Sequence, residues 1–225
     1  MTESPESPGP VRVLIVDDDA LVRSALLLML GGRADLTIVG EAGDGEQAVV
    51  AARDLQPDVV LMDIRMPGID GIEATRRLVA RPGAPRVIVL TTFDTDEHVF
   101  AAIAAGAEGF LVKDTSPSDL IDAIKTVASG ESMLSPSVTT TLVAHVRGAR
   151  SQSPENEGVA RLALLTDRER EVAIAIGRGL SNAGIAAELF MSVATVKAHV
   201  TRVFDKLGTT NRVQVAICVR DAGLV

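Results

Sequence analysis

The first half of the chain alternates between short apolar runs and longer stretches of helical periodicity. The apolar runs are typical of strands buried on both faces and span residues 11–16, 36–40, 58–63, 86–91 and 109–112. The stretches between them predict helices at residues 21–30, 44–55, 70–80 and 94–105, with a fifth beginning at Ser116. Five consecutive strand–helix units predict a five-stranded parallel sheet with helices on both faces, an α/β domain.

The last third of the chain shows helical periodicity only. A capping box from Thr166 to Glu169 predicts the start of a helix, and residues 182–190 predict a second, short helix. Ser192 is the predicted N-cap of a third helix, and Asn211 opens a fourth. The buried stripe of the third helix is predicted to be Val196, Val200, Val203 and Leu207. Two short helices, a tight turn and a third helix with a clean apolar stripe are typical of a helix-turn-helix domain.

Charge and composition divide the chain further. Residues 1–150 contain 13 Lys and Arg against 22 Asp and Glu, whereas residues 151–225 contain 9 against 8. An acidic front and a near-neutral back indicate two modules with different partners. The single cysteine, Cys218, excludes an intrachain disulfide and a cysteine metal cluster, and it fits a reducing cytosol. No apolar run reaches the roughly 18 residues of a membrane span, so we expect a cytoplasmic protein.

These patterns predict the following organisation of the chain. Residues 1–10 are acidic and Pro-rich, and we expect a disordered tail there rather than a signal peptide. The α/β domain is predicted to span residues 11–128 and the helical domain residues 162–225. Between them, residues 129–161 are expected to be a linker that is partly helical after Ser135 and ends in an exposed hinge.

Polar side chains follow four of the five predicted strands. Asp17 and Asp18 follow the first strand, Asp63 ends the third, Thr91 ends the fourth and Lys113 follows the fifth. Since the carboxyl ends of parallel strands share one rim, these groups should converge. Clustered carboxylates repel one another, and a hard cation with oxygen ligands, Mg²⁺, relieves that repulsion. With an ammonium and a hydroxyl nearby, the rim is suited to phosphoryl transfer to a carboxylate.

Each of these residues has a plainer interpretation when taken alone. An Asp after a strand is commonly a turn former or a helix cap, which is all we expect of Asp19 and Asp44. A lone Lys113 would be solvated. The coincidence of all four strand ends favours a functional site. No glycine-rich phosphate loop follows the first strand, which argues against a nucleotide-binding domain.

The predicted third helix of the back half has a second face of small residues. Ala194, Ala198, Thr201 and Asp205 lie opposite the apolar stripe, and Lys197 and Arg202 flank them. A small face with basic flanks can approach a DNA major groove closely. The alternative is a four-helix packing module without a DNA partner.

Four stretches of the front half, residues 16–18, 61–71, 90–93 and 109–114, resemble the receiver domain of two-component response regulators. The resemblance implies a flavodoxin-like fold in which Asp63 accepts a phosphoryl group from a sensor histidine kinase. It further implies that Asp18, Asp63 and the backbone carbonyl of Arg65 bind Mg²⁺, with Asp17 helping through water. Thr91 and Lys113 would then contact the phosphoryl oxygens, and Phe110 would occupy the aromatic switch position.

Residues 165–172, 179–182 and 194–200 resemble the LuxR-type domain of the NarL/FixJ response regulators. The resemblance implies that the third helix enters the major groove of double-stranded DNA and that the fourth pairs with its copy in a homodimer. The residues implied near bases or phosphates are Thr195, Lys197, Ala198, Thr201 and Arg202, and those implied in the dimer are Val213, Ala216 and Ile217. Gly184, Met191 and Thr201 depart from the usual pattern, which blurs any inference about the DNA sequence.

Together these features predict a phosphorylation-controlled transcription factor rather than an enzyme. Two alternatives remain. One is a Mg²⁺-dependent phosphotransferase or phosphatase that acts on a small molecule through an aspartyl-phosphate. The lack of a second catalytic acid just after Asp63, and of a lid insertion, argues against it. The other is a phosphorylation-independent DNA binder whose front domain only dimerises, against which the intact set of rim residues argues.

Overall fold

The computed structural model describes residues 9–81, 83–92, 96–134 and 160–225. Most of the predicted N-terminal tail and the predicted linker helix and hinge lie outside these residues. Within them, two domains are seen: a sheet flanked by helices and a smaller group of helices. No single described helix is long and apolar enough to cross a membrane, and the one neighbouring pair that reaches this length together is bent by 108°.

The front domain is built on one parallel sheet of six strands in the order β2-β1-β3-β4-β5-β6. Their bounds are β1 Val11–Val16, β2 Leu36–Ala42, β3 Val59–Asp63, β4 Arg86–Thr91, β5 Gly109–Val112 and β6 Met133–Leu134. The α/β fold class is confirmed, but the sheet gains a sixth strand beyond the predicted five. A two-residue strand leaves no detectable alternation in sequence. β6 pairs with β5 at Gly109 and Phe110, and Met133 N–H also donates to the carbonyl of Glu108, just before β5.

Five helices cover the two faces of the sheet. They are α1 Ala20–Leu30, α2 Gly45–Leu55, α3 Gly71–Val79, α4 Asp96–Ala105 and α5 Pro117–Ala128. Asp19 and Asp44 are N-caps, as predicted, and accept hydrogen bonds from Leu21 N–H and Gln47 N–H. Asp70 caps α3 in the same way. The predicted first turn of α4, from Asp94, lies outside the described residues.

Strand alternation separates two apolar cores in this domain. Leu14 and Val16 of β1 pack with α2, α3 and α4 on one face, whereas Val13 and Ile15 pack with α1 and α5 on the other. Every residue of β3 is buried. Because β3 lies between β1 and β4 in the middle of the sheet, its carboxyl end has rigid neighbours on both sides.

The back domain contains α6 Asp167–Gly177, α7 Asn182–Glu188, α8 Val193–Leu207 and α9 Arg212–Asp221. The capping box of α6 and the buried stripe of α8 are present as predicted. The prediction for α7 was too long, since the helix ends at Glu188 and not at Phe190. Phe190 has φ 54°, a left-handed conformation that a right-handed helix excludes. The chain turns there into α8, which lies at 108° to α7.

Candidate functional site

The carboxyl ends of β1 and β3 bring three carboxylates together at one rim of the sheet. Oxygens of Asp17, Asp18 and Asp63 all lie within 4.8 Å of one another. Asp17 and Asp63 are only 2% and 6% exposed, whereas Asp18 is open to solvent. β1 and β3 are adjacent in the sheet although their paired residues are 46 positions apart along the chain, so the topology creates this cluster.

Lys113 reaches the same rim from the end of β5. Its Nζ lies 2.6 Å from Asp17 Oδ2 and 2.9 Å from Asp63 Oδ1. Its backbone N–H donates to the carbonyl of Thr91 at 2.8 Å, which ties β5 to the end of β4. Thr91 itself is 3% exposed. The structure therefore brings together the carboxylates that follow β1 and end β3 and the ammonium of Lys113, and it places Thr91 at the end of the neighbouring strand β4.

The backbone around Asp63 is packed to its geometric limit. A Cβ placed on Gly71, the first residue of α3, would lie 1.9 Å from the Asp63 carbonyl oxygen. Gly71 N–H also donates to the carbonyl of Ile64 at 2.9 Å. Only glycine lets α3 begin so close to the strand. The Asp63 side chain is also held in place. The N–H of Arg65 donates to Oδ2 at 3.1 Å and Lys113 contacts Oδ1, so both carboxylate oxygens have a donor.

Burial and the neighbouring ammonium act in opposite directions on Asp63. Burial raises the pKa of the Asp63 carboxyl above its ordinary value, and the hydrogen bond and charge of Lys113 offset only part of that effect. For Lys113, burial favours a lower pKa, but its hydrogen bonds with Asp17 and Asp63 outweigh burial and raise the pKa. Lys113 therefore stays charged. Because Lys113 only partly offsets the burial of Asp63, a further positive charge at the rim would stabilise the Asp63 carboxylate.

The donors at the rim fit a hard divalent cation. Both oxygens of Asp17 already accept hydrogen bonds, Oδ1 from Asp19 N–H at 3.0 Å and Oδ2 from Lys113. Asp18 is exposed, and it shares an oxygen cluster with Asp63. An all-oxygen set with one solvent-facing carboxylate suits Mg²⁺, which retains several waters. Asp18 is thus the carboxylate most open to a hydrated cation, because both oxygens of Asp17 and both oxygens of Asp63 already have donors.

Phe110, the predicted switch residue, is fully buried in the core between the sheet and α2, α3 and α4. It pairs with Val89 of β4 on one side and with Leu134 of β6 on the other. Its strand continues to Lys113 and its neighbouring strand ends at Thr91. A movement of Thr91 or Lys113 would therefore change the packing of the core residues around the Phe110 ring.

The predicted DNA-contact residues of α8 all lie on its solvent side. Thr195, Lys197, Ala198, Thr201 and Arg202 are exposed, while the opposite stripe is buried in the helical core. Ser192 caps the helix by accepting from Thr195 N–H at 3.0 Å. The helix thus presents one continuous small and basic face from its first turn onward.

The two domains contact each other, and the contact reaches this face. A cleft of about 670 Å³ lies between them. Lys197 and Thr201 of α8 line one side of the cleft, and Arg81, Arg86 and Glu108 of the front domain line the other. In this arrangement, part of the predicted DNA-contact face looks toward the front domain.

Asn211 is the centre of the contact between the domains, a role that no local pattern in the sequence indicates. It is fully buried, and its Nδ2 donates to the carbonyls of Ile103 and Ala107, at the end of α4, at 2.9 and 3.0 Å. Its Oδ1 accepts from Gln214 N–H at 2.9 Å and so caps α9. One side chain therefore joins the end of α4 to the start of α9. The sequence signal identified only the cap.

Two further contacts reinforce this junction. Glu131 Oε1 accepts from Asn182 N–H, in the first turn of α7, at 3.0 Å. Val213, which the family resemblance places in a dimer of α9 helices, packs against the core of the front domain in this arrangement. Ala216 and Ile217, further along α9, are partly buried. The start of α9 is thus occupied by the front domain in this arrangement.

Comparison with known proteins shows the family. Residues 13–125 match the response regulator receiver domain, and residues 163–219 match the luxR family of bacterial regulatory proteins. The uncharacterized transcriptional regulatory protein YxjL of Bacillus subtilis (strain 168) is 38% identical over 215 residues, covering 96% of this chain and 97% of that protein. The nitrate/nitrite response regulator protein NarL of Escherichia coli (strain K12) is 35% identical over 210 residues, covering 93% and 95%.

A solved structure agrees. The crystal structure of the response regulator ChrA, from a heme-sensing two-component system, has a TM-score of 0.52 and 38% identity, and covers 97% of this chain and 100% of that one. The chain therefore belongs to the response regulators that join a receiver domain to a LuxR-type DNA-binding domain. It is a DNA-binding regulator of transcription, as the two resemblances in the sequence implied.

Proposed function

We propose that this response regulator is switched by phosphorylation of Asp63, with a sensor histidine kinase as the donor. The observation that supports this most directly is the Lys113 ammonium 2.9 Å from Asp63 Oδ1, beside an exposed Asp18. Asp18, Asp63 and the carbonyl of Arg65 would hold Mg²⁺, and Asp17 would assist through water. The metal, when bound, supplies positive charge to the phosphoryl oxygens.

In the transfer step, a carboxylate oxygen of Asp63 forms a bond to phosphorus as the bond from phosphorus to the kinase imidazole nitrogen breaks. The leaving nitrogen keeps the electron pair of that bond. Lys113 and the hydroxyl of Thr91 donate hydrogen bonds to the phosphoryl oxygens, on which charge is spread in the transition state. Because the site is buried, these charges act at short range and through little water.

The output lies in the helical domain. Thr195 and Arg202 contact phosphates, and Lys197, Ala198 and Thr201 lie at base edges of double-stranded DNA. Phosphorylation moves Thr91 and the packing around Phe110, and this loosens the junction between α4 and Asn211. Release of α9 frees Val213, Ala216 and Ile217 to pair with a second copy, so that two α8 helices engage paired half-sites.

The same proposal gives the domain limits and the compartment. The receiver spans residues 11–128, the linker residues 129–161 and the DNA-binding domain residues 162–225. The protein acts in the cytoplasm, without a membrane partner. Its role is regulatory and not enzymatic: the aspartyl-phosphate is a signalling state and not an intermediate in the turnover of a small molecule.

The test is size-exclusion chromatography with light scattering, with and without Mg²⁺ and beryllofluoride, which mimics a phosphoryl group on a carboxylate. We expect a Mg²⁺-dependent shift from monomer to dimer in the wild type and none in Asp63→Asn. Equal behaviour of both proteins under all conditions would contradict the switch. A constitutive dimer that binds DNA equally with and without beryllofluoride would favour the phosphorylation-independent alternative.

A further inference from the structure

Phe190 stands out among the described residues for two reasons at once. It lies in the left-handed region at φ 54°, and its side chain is 96% exposed. Among the described residues other than glycine, only Gln56 shares a positive φ, at 44°. Gln56 is polar and follows the end of α2. A bulky aromatic residue in this conformation is an outlier whose strain costs on the order of 1 kcal/mol or more.

No contact among the described residues accounts for an aromatic side chain at this position. Leu189 and Met191, on either side, pack against the helical core, whereas the Phe190 ring is directed away from it. A left-handed turn residue between two helices is best supplied by glycine, which adopts this conformation without strain. The folded chain therefore carries two unfavourable features, a strained backbone and an exposed apolar ring. Since the ring is not buried in the fold, no packing energy compensates for either.

The turn that carries Phe190 is held firmly. Arg168 Nη2 donates to the carbonyl of Leu189 at 2.6 Å, and Met191 N–H donates to the carbonyl of Ala186 at 2.9 Å. These two bonds fix the backbone on both sides of the ring. Phe190 is therefore displayed from a rigid support, which lowers the entropic cost of a contact with a partner.

The position of the ring points to the partner. Phe190 precedes the N-cap of α8, Ser192, by two residues, and the first turn of α8 exposes Val193 and Thr195. When the first turn of a recognition helix enters the major groove, the residues just before it face the wall of the groove, which is the sugar–phosphate backbone of one strand. Val193, 42% exposed, extends the apolar surface toward the groove. Unlike Lys197, Phe190 does not line the interdomain cleft.

We propose that Phe190 is a DNA-contact residue whose ring packs on the deoxyribose carbons at the edge of the major groove, where it also meets a thymine methyl if one is present. The proposal rests on α8 entering the major groove. It adds a contact that carries no charge. Protein–DNA affinity that comes from ion pairs falls steeply with salt, whereas a sugar–aromatic contact leaves the salt dependence unchanged.

The decisive variant is Phe190→Gly in the full-length, beryllofluoride-activated protein. It removes the ring and supplies the residue that the turn favours, so the melting temperature should stay the same or rise. The probe is a duplex selected by the wild type from a random-sequence library, and binding is followed by fluorescence anisotropy over a range of salt concentrations. We expect a Kd about tenfold weaker, with an unchanged salt slope.

Arg202→Ala is the matched control, because it removes a proposed phosphate contact from the same helix. It should weaken binding and lower the salt slope by about one. If Phe190→Gly left the Kd for DNA unchanged while Arg202→Ala weakened binding, the proposed DNA contact would be overturned. A protein partner would then be the better explanation of the exposed ring. A clear fall in melting temperature for Phe190→Gly would overturn it too, by showing a structural role. If neither substitution changes the Kd for DNA, the result would overturn the proposed entry of α8 into the major groove, and the Phe190 contact with it.

Discussion

The acidic rim of the receiver and the exposed face of α8 are built in opposite ways. At the rim, Asp17 and Asp63 are 2% and 6% exposed, and every oxygen of the pair has a fixed donor. On α8, Lys197 and Arg202 project into solvent from a helix whose other face is locked in the core. Group transfer needs charges that are held still and kept from water, whereas DNA binding needs charges that stay hydrated until they meet phosphates.

This difference shows where each domain tolerates change. The rim depends on close backbone packing, so a single added methyl group can disturb it. The α8 face depends on which side chains it carries, so its residues can change without harm to the fold.

A matched pair of glycine substitutions tests the packing. Gly71→Ala places a Cβ 1.9 Å from the Asp63 carbonyl oxygen, whereas a Cβ at Gly184 in α7 first meets the mobile end of Leu180 at 3.3 Å. We expect Gly71→Ala to destabilise the protein by about 3 kcal/mol through overpacking, and to weaken the beryllofluoride response. Gly184→Ala should stabilise it by up to about 1 kcal/mol through helix propensity.

Urea denaturation followed by circular dichroism measures both effects. The contrast between the two domains would be lost if the two alanines changed the free energy of unfolding in the same direction and by similar amounts.

Lys197→Ala tests the α8 face. The residue is exposed, so the free energy of unfolding should change by no more than about 0.5 kcal/mol. DNA affinity should fall by about 2 kcal/mol, with relaxed preference at one base pair, because the side chain is proposed to reach a base edge. Binding selection on random duplexes measures this. An unaltered base preference would remove Lys197 from the base contacts.

Asn211→Asp tests the junction that links the two regions. Asp keeps the oxygen that caps α9 but loses the donors to the carbonyls of Ile103 and Ala107. Because a carboxylate facing two carbonyls is unfavourable, the domains should separate. We expect a larger radius of gyration in small-angle scattering and about tenfold tighter DNA binding without beryllofluoride.

Two other substitutions serve as controls for the junction. Asn211→Ala removes the cap as well, so it should also cost about 1 kcal/mol of stability. Glu131→Gln keeps an oxygen for Asn182 N–H and should change binding little. Tight DNA binding only in Asn211→Ala would mean that loss of the cap, and not separation of the domains, is responsible.

The smallest effect concerns acid stability of the helical domain. The hydrogen bond from Lys206, with that from Thr166 N–H, lowers the pKa of Glu169 to about 2. Since the pKa in the unfolded chain is near about 4.3, the carboxylate stabilises the fold above that pH, and this contribution is lost as the pH falls toward 2. The stability advantage of the wild type over Glu169→Gln should shrink over this window. Glu171→Gln, which loses only a surface ion pair with Arg168, should show no such trend.

Much of this architecture was predictable because its signals are local. The five strand–helix units, the caps at Asp19, Asp44 and Ser116, and the capping box at Thr166 each depend on a few neighbouring residues. The convergence of the strand ends was also predictable, because a parallel sheet places its carboxyl ends on one rim. Element boundaries that depend on contacts between residues distant in sequence were not predictable. The sixth strand and the early end of α7 are examples.

By itself, the sequence determined the fold class, the chemistry available at each strand end and the apolar and exposed faces of α8. Only the tertiary structure decided that Lys113 joins Asp17 to Asp63, that Gly71 must be glycine, and that Asn211 bridges residues 108 and 104 positions away. It also showed that Phe190 leaves its helix and points outward. The physical reason is that hydrophobic periodicity and capping act within a turn or two, whereas distances between side chains depend on how whole elements pack.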